Sequence, residues 1–77
     1  MRYFFDILER SGVTRDPEGM NLRAREDMRR EAKRILAQIA VDEPYPGDEL
    51  ALSLRVRDEA GHVVYNLCLS IREECSP

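Results

Sequence analysis

A hydrolase triad would have to be built around His62, the single histidine of this 77-residue chain, with Cys68, Cys75 or Ser76 as its nucleophile. His62 and Cys68 are six residues apart in an extended pattern, about 20 Å along a strand, so they cannot meet. Cys75 and Ser76 belong to a short tail at 74–77. The two cysteines form no CxxC, and one histidine adds too little for a structural zinc site, so two free thiols are expected. In "DPEG" (16–19), Asp16 and Glu18 supply two carboxylates, whereas calcium takes about six or more oxygens. A turn with its acids near the positive end of the next helix is the expected role. Nothing resembles a phosphate loop or a dinucleotide fingerprint. These residues predict no catalysis and no cofactor.

Charge is the other candidate chemistry. Residues 21–41 sum to +3, residues 1–20 to −1 and residues 42–77 to −5, for a net charge of −3. The basic stretch carries Arg25, Arg29, Arg30, Lys33 and Arg34, a face that an anionic partner such as nucleic acid would contact. Acids are interleaved at helical spacing, so Glu26 is expected to meet Arg30, Arg23 to meet Asp27, and Glu31 to meet Arg34. A solvated, ion-paired face is the favoured expectation. An RNA- or DNA-binding regulator is the alternative, and an enzyme accessory subunit or metal carrier the next.

The elements that position these groups follow from periodicity. Residues 2–9 alternate as a strand with Tyr3, Phe5 and Ile7 on one side, and "RSG" turns into a short second strand at 13–16. Residues 22–41 switch to helical spacing, with Met28, Ala32, Ile35 and Ile39 as the stripe and Asn21 as N-cap. Pro44 and Pro46-Gly47 end the helix in a turn at 42–47. Leu50, Leu52, Leu54 and Val56 then alternate with small and polar residues, as do Val63, Tyr65, Leu67, Leu69 and Ile71. A turn at Glu59-Ala60 would pair Val56 with Val63, Leu54 with Tyr65, Leu52 with Leu67 and Leu50 with Leu69. The predicted fold is α+β, ββαββ: an antiparallel four-stranded sheet with one helix packed on one face. It is one domain, with an N-terminal hairpin at 1–16, the helix at 22–42, a C-terminal hairpin at 49–73 and the tail.

One helix covers one face of such a sheet. Phe4, Leu8 and Val64 fall on the other, among Ser53, Arg55, Arg57, Asn66, Ser70 and Arg72. A cluster of exposed apolar side chains marks an interface, so this patch is expected to meet a second copy. The N-terminus lacks a signal-peptide pattern and no apolar run approaches the ~18 residues of a membrane span, which points to a cytoplasmic protein without membrane contact.

Four motifs recur together here: YFFDI at residues 3–7, D-x-E-G at 16–19, R-x-E-A at 29–32 and V-x-D-x-x-G at 56–61. In combination the chain resembles a family of short bacterial proteins of unknown function, over nearly its whole length. It departs where members often open the helix with Asp, since Arg23-Ala24 stands there. The resemblance implies the fold and assigns no activity. The residues therefore predict a small non-catalytic binding protein that self-associates, as a homodimer, with any further protein partner unknown.

Overall fold

The computed structural model describes residues 1–42, 49–74 and 76. In chain order they form β1 (Arg2–Glu9), β2 (Gly12–Thr14), β3 (Met20–Asn21), α1 (Arg25–Asp42), β4 (Glu49–Arg57) and β5 (Val63–Arg72). The strands make one antiparallel sheet in the order β2-β1-β4-β5, with β3 also pairing β1. The α+β architecture is as expected, and the N-terminal hairpin joins the C-terminal one through β1. The expected turn at 43–47, and Cys75, lie outside the described residues.

The core forms where the two most apolar strands meet the helix stripe. Tyr3 and Phe5 of β1, the four alternating aliphatics Leu50, Leu52, Leu54 and Val56 of β4, and Met28, Ala32 and Leu36 of α1 are buried together. Leu36 takes the place expected of Ile35 and Ile39, which are only half-buried. The β5 side chains Tyr65, Leu67, Leu69 and Ile71 point to the same cluster but stay half-buried, so the helix covers β4 more completely than its neighbour.

Three expectations are corrected. The helix starts at Arg25 rather than 22, and Asn21 pairs with Arg2 in β3 instead of capping it. The first helical bonds run to the Ala24 carbonyl, from Asp27 and Met28 N–H, and Glu26 and Asp27 complement the positive helix end. Leu22 N–H bonds to Met1 O at 2.8 Å, which holds the chain extended along β1 up to that point. Second, Val13–Asp16 is not all strand: β2 ends at Thr14, and Asp16 has another task.

The third correction concerns the C-terminal hairpin. Its register is Leu50↔Ile71, Leu52↔Leu69, Leu54↔Leu67 and Val56↔Tyr65, two residues from the expected pairing, with an irregularity beside Val56 and Arg57. The turn is longer than a two-residue loop. Asp58 Oδ1 accepts Ala60 and His62 N–H, Asp58 N–H bonds to His62 O at 2.9 Å, and Gly61 takes φ +86°. A slip of two keeps every side chain on its face, which is why the apolar alternation could not distinguish the registers.

Candidate interaction surface

The second face of β1 is where a buried polar network replaces the expected open patch. Asp6 is 3% exposed, in the middle of the most aromatic strand. Arg57 of β4 donates to it twice, Nε to Oδ2 at 2.6 Å and Nη2 to Oδ1 at 3.0 Å, and also to the Asp16 carbonyl at 3.2 Å. Asp16 N–H donates to Asp6 Oδ1 at 3.0 Å. The planar guanidinium suits this fork, and each group in it is paired. Every buried side-chain nitrogen and oxygen among the described residues has a hydrogen-bond partner.

Asp16 also completes the sheet. β2 pairs β1 at Ile7–Glu9 and β3 pairs it at Arg2 and Tyr3, so the edge between them lacks a strand partner. The Asp16 carboxylate fills that gap by accepting Phe5 N–H at 3.0 Å, and its other oxygen takes Glu18 and Gly19 N–H, each at 3.1 Å. The Asp16 oxygens are thus spent on backbone N–H groups, and no group of three potential metal ligands occurs among the described residues.

Burial pushes the Asp6 carboxyl up, but the Arg57 hydrogen bonds, the Asp16 N–H and the charges of Arg57 and Arg15 outweigh it and leave the group below its ordinary range. Burial likewise opposes ionisation of Asp16, and three backbone N–H donors reverse that against the nearby charge of Asp6. Both carboxylates are held ionised, as acceptors, rather than tuned toward neutral pH for proton transfer.

Phe4, Leu8 and Val64 are not brought together. Arg57 lies over the Phe4 ring, 5.0 Å from its centroid. A Cβ on Gly19 would come within 2.9 Å of the same ring, so the 16–19 loop closes against it from its own chain. Leu8 is half-buried between Val13 and Ser53 as strand partners. Val64 packs against the core cluster, while Val63, placed in the core by simple alternation, is 48% exposed. The bulge explains the exchange, because one extra residue breaks the in–out alternation.

The basic residues divide between flanks of α1. Arg25 donates to Val64 O at 3.1 Å and Arg29 lies over Tyr65, 5.8 Å from its ring centroid, both against β5. Arg34 bonds Glu31 on the opposite flank, where an open groove of about 480 Å³ runs beside Phe5, Ile7, Ile35 and Arg15. That hydrogen bond holds the Glu31 carboxyl below its usual range. The acids engage at i,i+3 spacing: Glu26 with Arg29 at 3.4 Å, Asp27 with Arg30 at 3.7 Å, and Glu31 with Arg34. Only the last of these is the pairing expected from sequence. Lys33 has no acidic partner among the described residues. The five cations form no single rib.

What remains open is β5. Among the described residues this ten-residue strand pairs only with β4, leaving its outer edge without a strand partner. Tyr65, Leu67, Leu69 and Ile71 stand half-buried above that edge, with exposed Asn66, Cys68 and Ser70 below it. No sequence motif marked this edge. The signal available was the length and neutrality of residues 63–71.

His62 sits at the turn, 3.7 Å from Asp58 Oδ2, and Cys68 Sγ is 3.5 Å from Ser53 Oγ, so the two are held apart by the strand. No helix among the described residues is long and apolar enough to cross a membrane. No curated protein and no solved structure matches the chain. A family model described as "Domain of unknown function (DUF6894)" matches residues 2–70, and with nearly all of its length covered the chain belongs to that family.

Proposed function

We propose that this chain is a non-catalytic binding protein of the cytoplasm that associates with copies of itself. The observation that carries the reading is the β5 edge, which has no strand partner among the described residues and lies beneath a half-buried row of apolar side chains. Long, neutral edges are templates for strand addition, and proteins that stay apart blunt them with charge, Pro or very short strands. The polar groups with unusual environments, Asp6, Asp16 and Arg57, support a structural reading because each is hydrogen-bonded to the others or to the backbone around it.

The alternative of an RNA- or DNA-binding regulator has less support, since three of its five candidate cations are paired with acids and a fourth is tied to Val64. Size-exclusion chromatography with light scattering tests the proposal. The expected result is a mass above that of the 8.9 kDa monomer that falls on dilution. Monomer mass at every concentration overturns it.

A further inference from the structure

We infer that the occupant of the β5 edge is the β5 strand of a second copy, antiparallel to the first about a two-fold axis at Cys68. This inference rests on the self-association proposed above and adds where and in what register the copies meet. Two independent features select that centre.

The first is the apolar row. Tyr65, Leu67, Leu69 and Ile71 occupy alternate positions on the helix side of β5, and their midpoint is Cys68. Pairing about that point sets Tyr65 opposite Ile71 of the partner subunit and Leu67 opposite Leu69 of the partner subunit. Each row member then meets an apolar side chain across the new pair, while Asn66 faces Ser70 of the partner subunit on the open side. A shift of two residues toward the C-terminus sets Tyr65 against Glu73 of the partner subunit, and a shift toward the N-terminus sets Ile71 against Val63 of the partner subunit, which the bulge has turned out of the row.

The second feature is what bounds the open edge. At one end Arg25 already donates to the Val64 carbonyl, beside the bulge. At the other, charge begins at Arg72 and continues through Glu73 and Glu74. The stretch between them, Tyr65–Ile71, carries no charge, so two copies of a net-acidic chain meet there without like-charge opposition. The rest of the sheet offers no equal: β2 and β3 have three and two residues, and Asp16 occupies the gap between them. Isologous pairing at β5 yields one continuous sheet with both helices on the same face and closes the assembly at two copies.

Charge substitutions at the paired open-face positions test the register. Asn66 and Ser70 are exposed, so changing them leaves the monomer core intact. In Asn66→Glu with Ser70→Glu, two pairs of like charges face each other across the axis, and the dimer dissociation constant is expected to rise about five- to tenfold. In Asn66→Lys with Ser70→Glu the same positions become opposite charges, and affinity is expected to return to that of the unsubstituted chain or better. Equal affinity in all three chains overturns the inference while leaving self-association standing. An unsubstituted chain that is monomeric throughout overturns both. A readout independent of charge uses Cys75→Ser, in which Cys68 is the sole thiol. A short bis-maleimide is expected to bridge two Cys68 side chains in the dimer, and a dimeric sample that stays unbridged overturns the shared centre.

Discussion

The two edges of this sheet are built in opposite ways. On the β1 side the edge is broken into strands of three and two residues, and the interval is closed by a side chain: Asp16 accepts Phe5 N–H where a backbone carbonyl would otherwise be. On the β5 side the edge runs for ten residues and, among the described residues, meets no further strand. The first arrangement consumes buried charge, and the second conserves backbone hydrogen-bonding capacity. A chain of this size, with little core to spare, secures one edge from within and leaves the other able to pair.

The largest effects should come from dismantling the closed edge. Asp6→Ala removes the acceptor from Arg57 and from Asp16 N–H, leaving the half-buried Arg57 with the Asp16 carbonyl and the Phe4 ring. Because Arg57 keeps some contact with water, the loss falls at the low end of that for breaking a buried pair, about 3 kcal/mol. Against the ~5–15 kcal/mol that holds a folded domain, urea titration should show severe destabilisation or an unfolded chain. Asp16→Ala frees three N–H groups, of which only that of Phe5 lies within the sheet, and should cost about 1–3 kcal/mol by the same titration. An Asp6→Ala midpoint within error of the unsubstituted chain would mean that the network does not secure this edge.

Next in size is Gly19→Ala. Gly19 holds φ +72°, and an added Cβ would meet the Tyr3 carbonyl at 2.8 Å. Backbone strain and that contact together should cost about 1–3 kcal/mol, whereas Gly61→Ala meets open space and carries only the positive-φ penalty of about 1 kcal/mol. Thermal unfolding of the two variants side by side checks the ordering. A larger loss at Gly61 would show that the 16–19 loop does not press on β1.

The closed edge should also be the acid-sensitive one. Asp6 and Asp16 have lowered folded-state values, so the stability they supply is fully present above the unfolded carboxyl value near ~3.9 and is lost as pH falls through the folded values. Unfolding free energy should therefore hold steady through neutral pH and decline below about pH 4. Asp16→Asn should make that decline shallower. A decline with the same slope in the variant would place the acid response elsewhere.

Much of this fold is legible in the residues. The hydrophobic period changes at the helix, and the alternation in 50–71 identifies a hairpin, because burial demands those patterns wherever one face is dry. Three features were not legible, for distinct reasons. The two-residue register slip preserves faces and leaves no trace in polarity. The bulge at Val64 is a local insertion whose effect, exchanging Val63 and Val64, reads in sequence as two equivalent valines. The Asp6–Arg57–Asp16 network joins residues far apart in the chain, and its one local clue was an acid set between Phe5 and Ile7. The stretches at 3–7, 16–19 and 56–61 each contribute one of these three residues.

The smallest expected effect is the control that separates the two edges. Val13 lies on β2 and is 61% exposed, so Val13→Lys removes no core contact and should change stability by no more than about 0.5 kcal/mol. It adds a charge to the short edge, of the kind that discourages strand addition. If association proceeds through β5, a charge on β2 lies at the far side of the sheet, beyond β1 and β4, and screening over that separation leaves little coupling at physiological salt. Light scattering should therefore return the same monomer–dimer balance for Val13→Lys as for the unsubstituted chain. A clear shift toward monomer would place the contact at β2, and the apolar row on β5 would then need another reason to stand half-exposed.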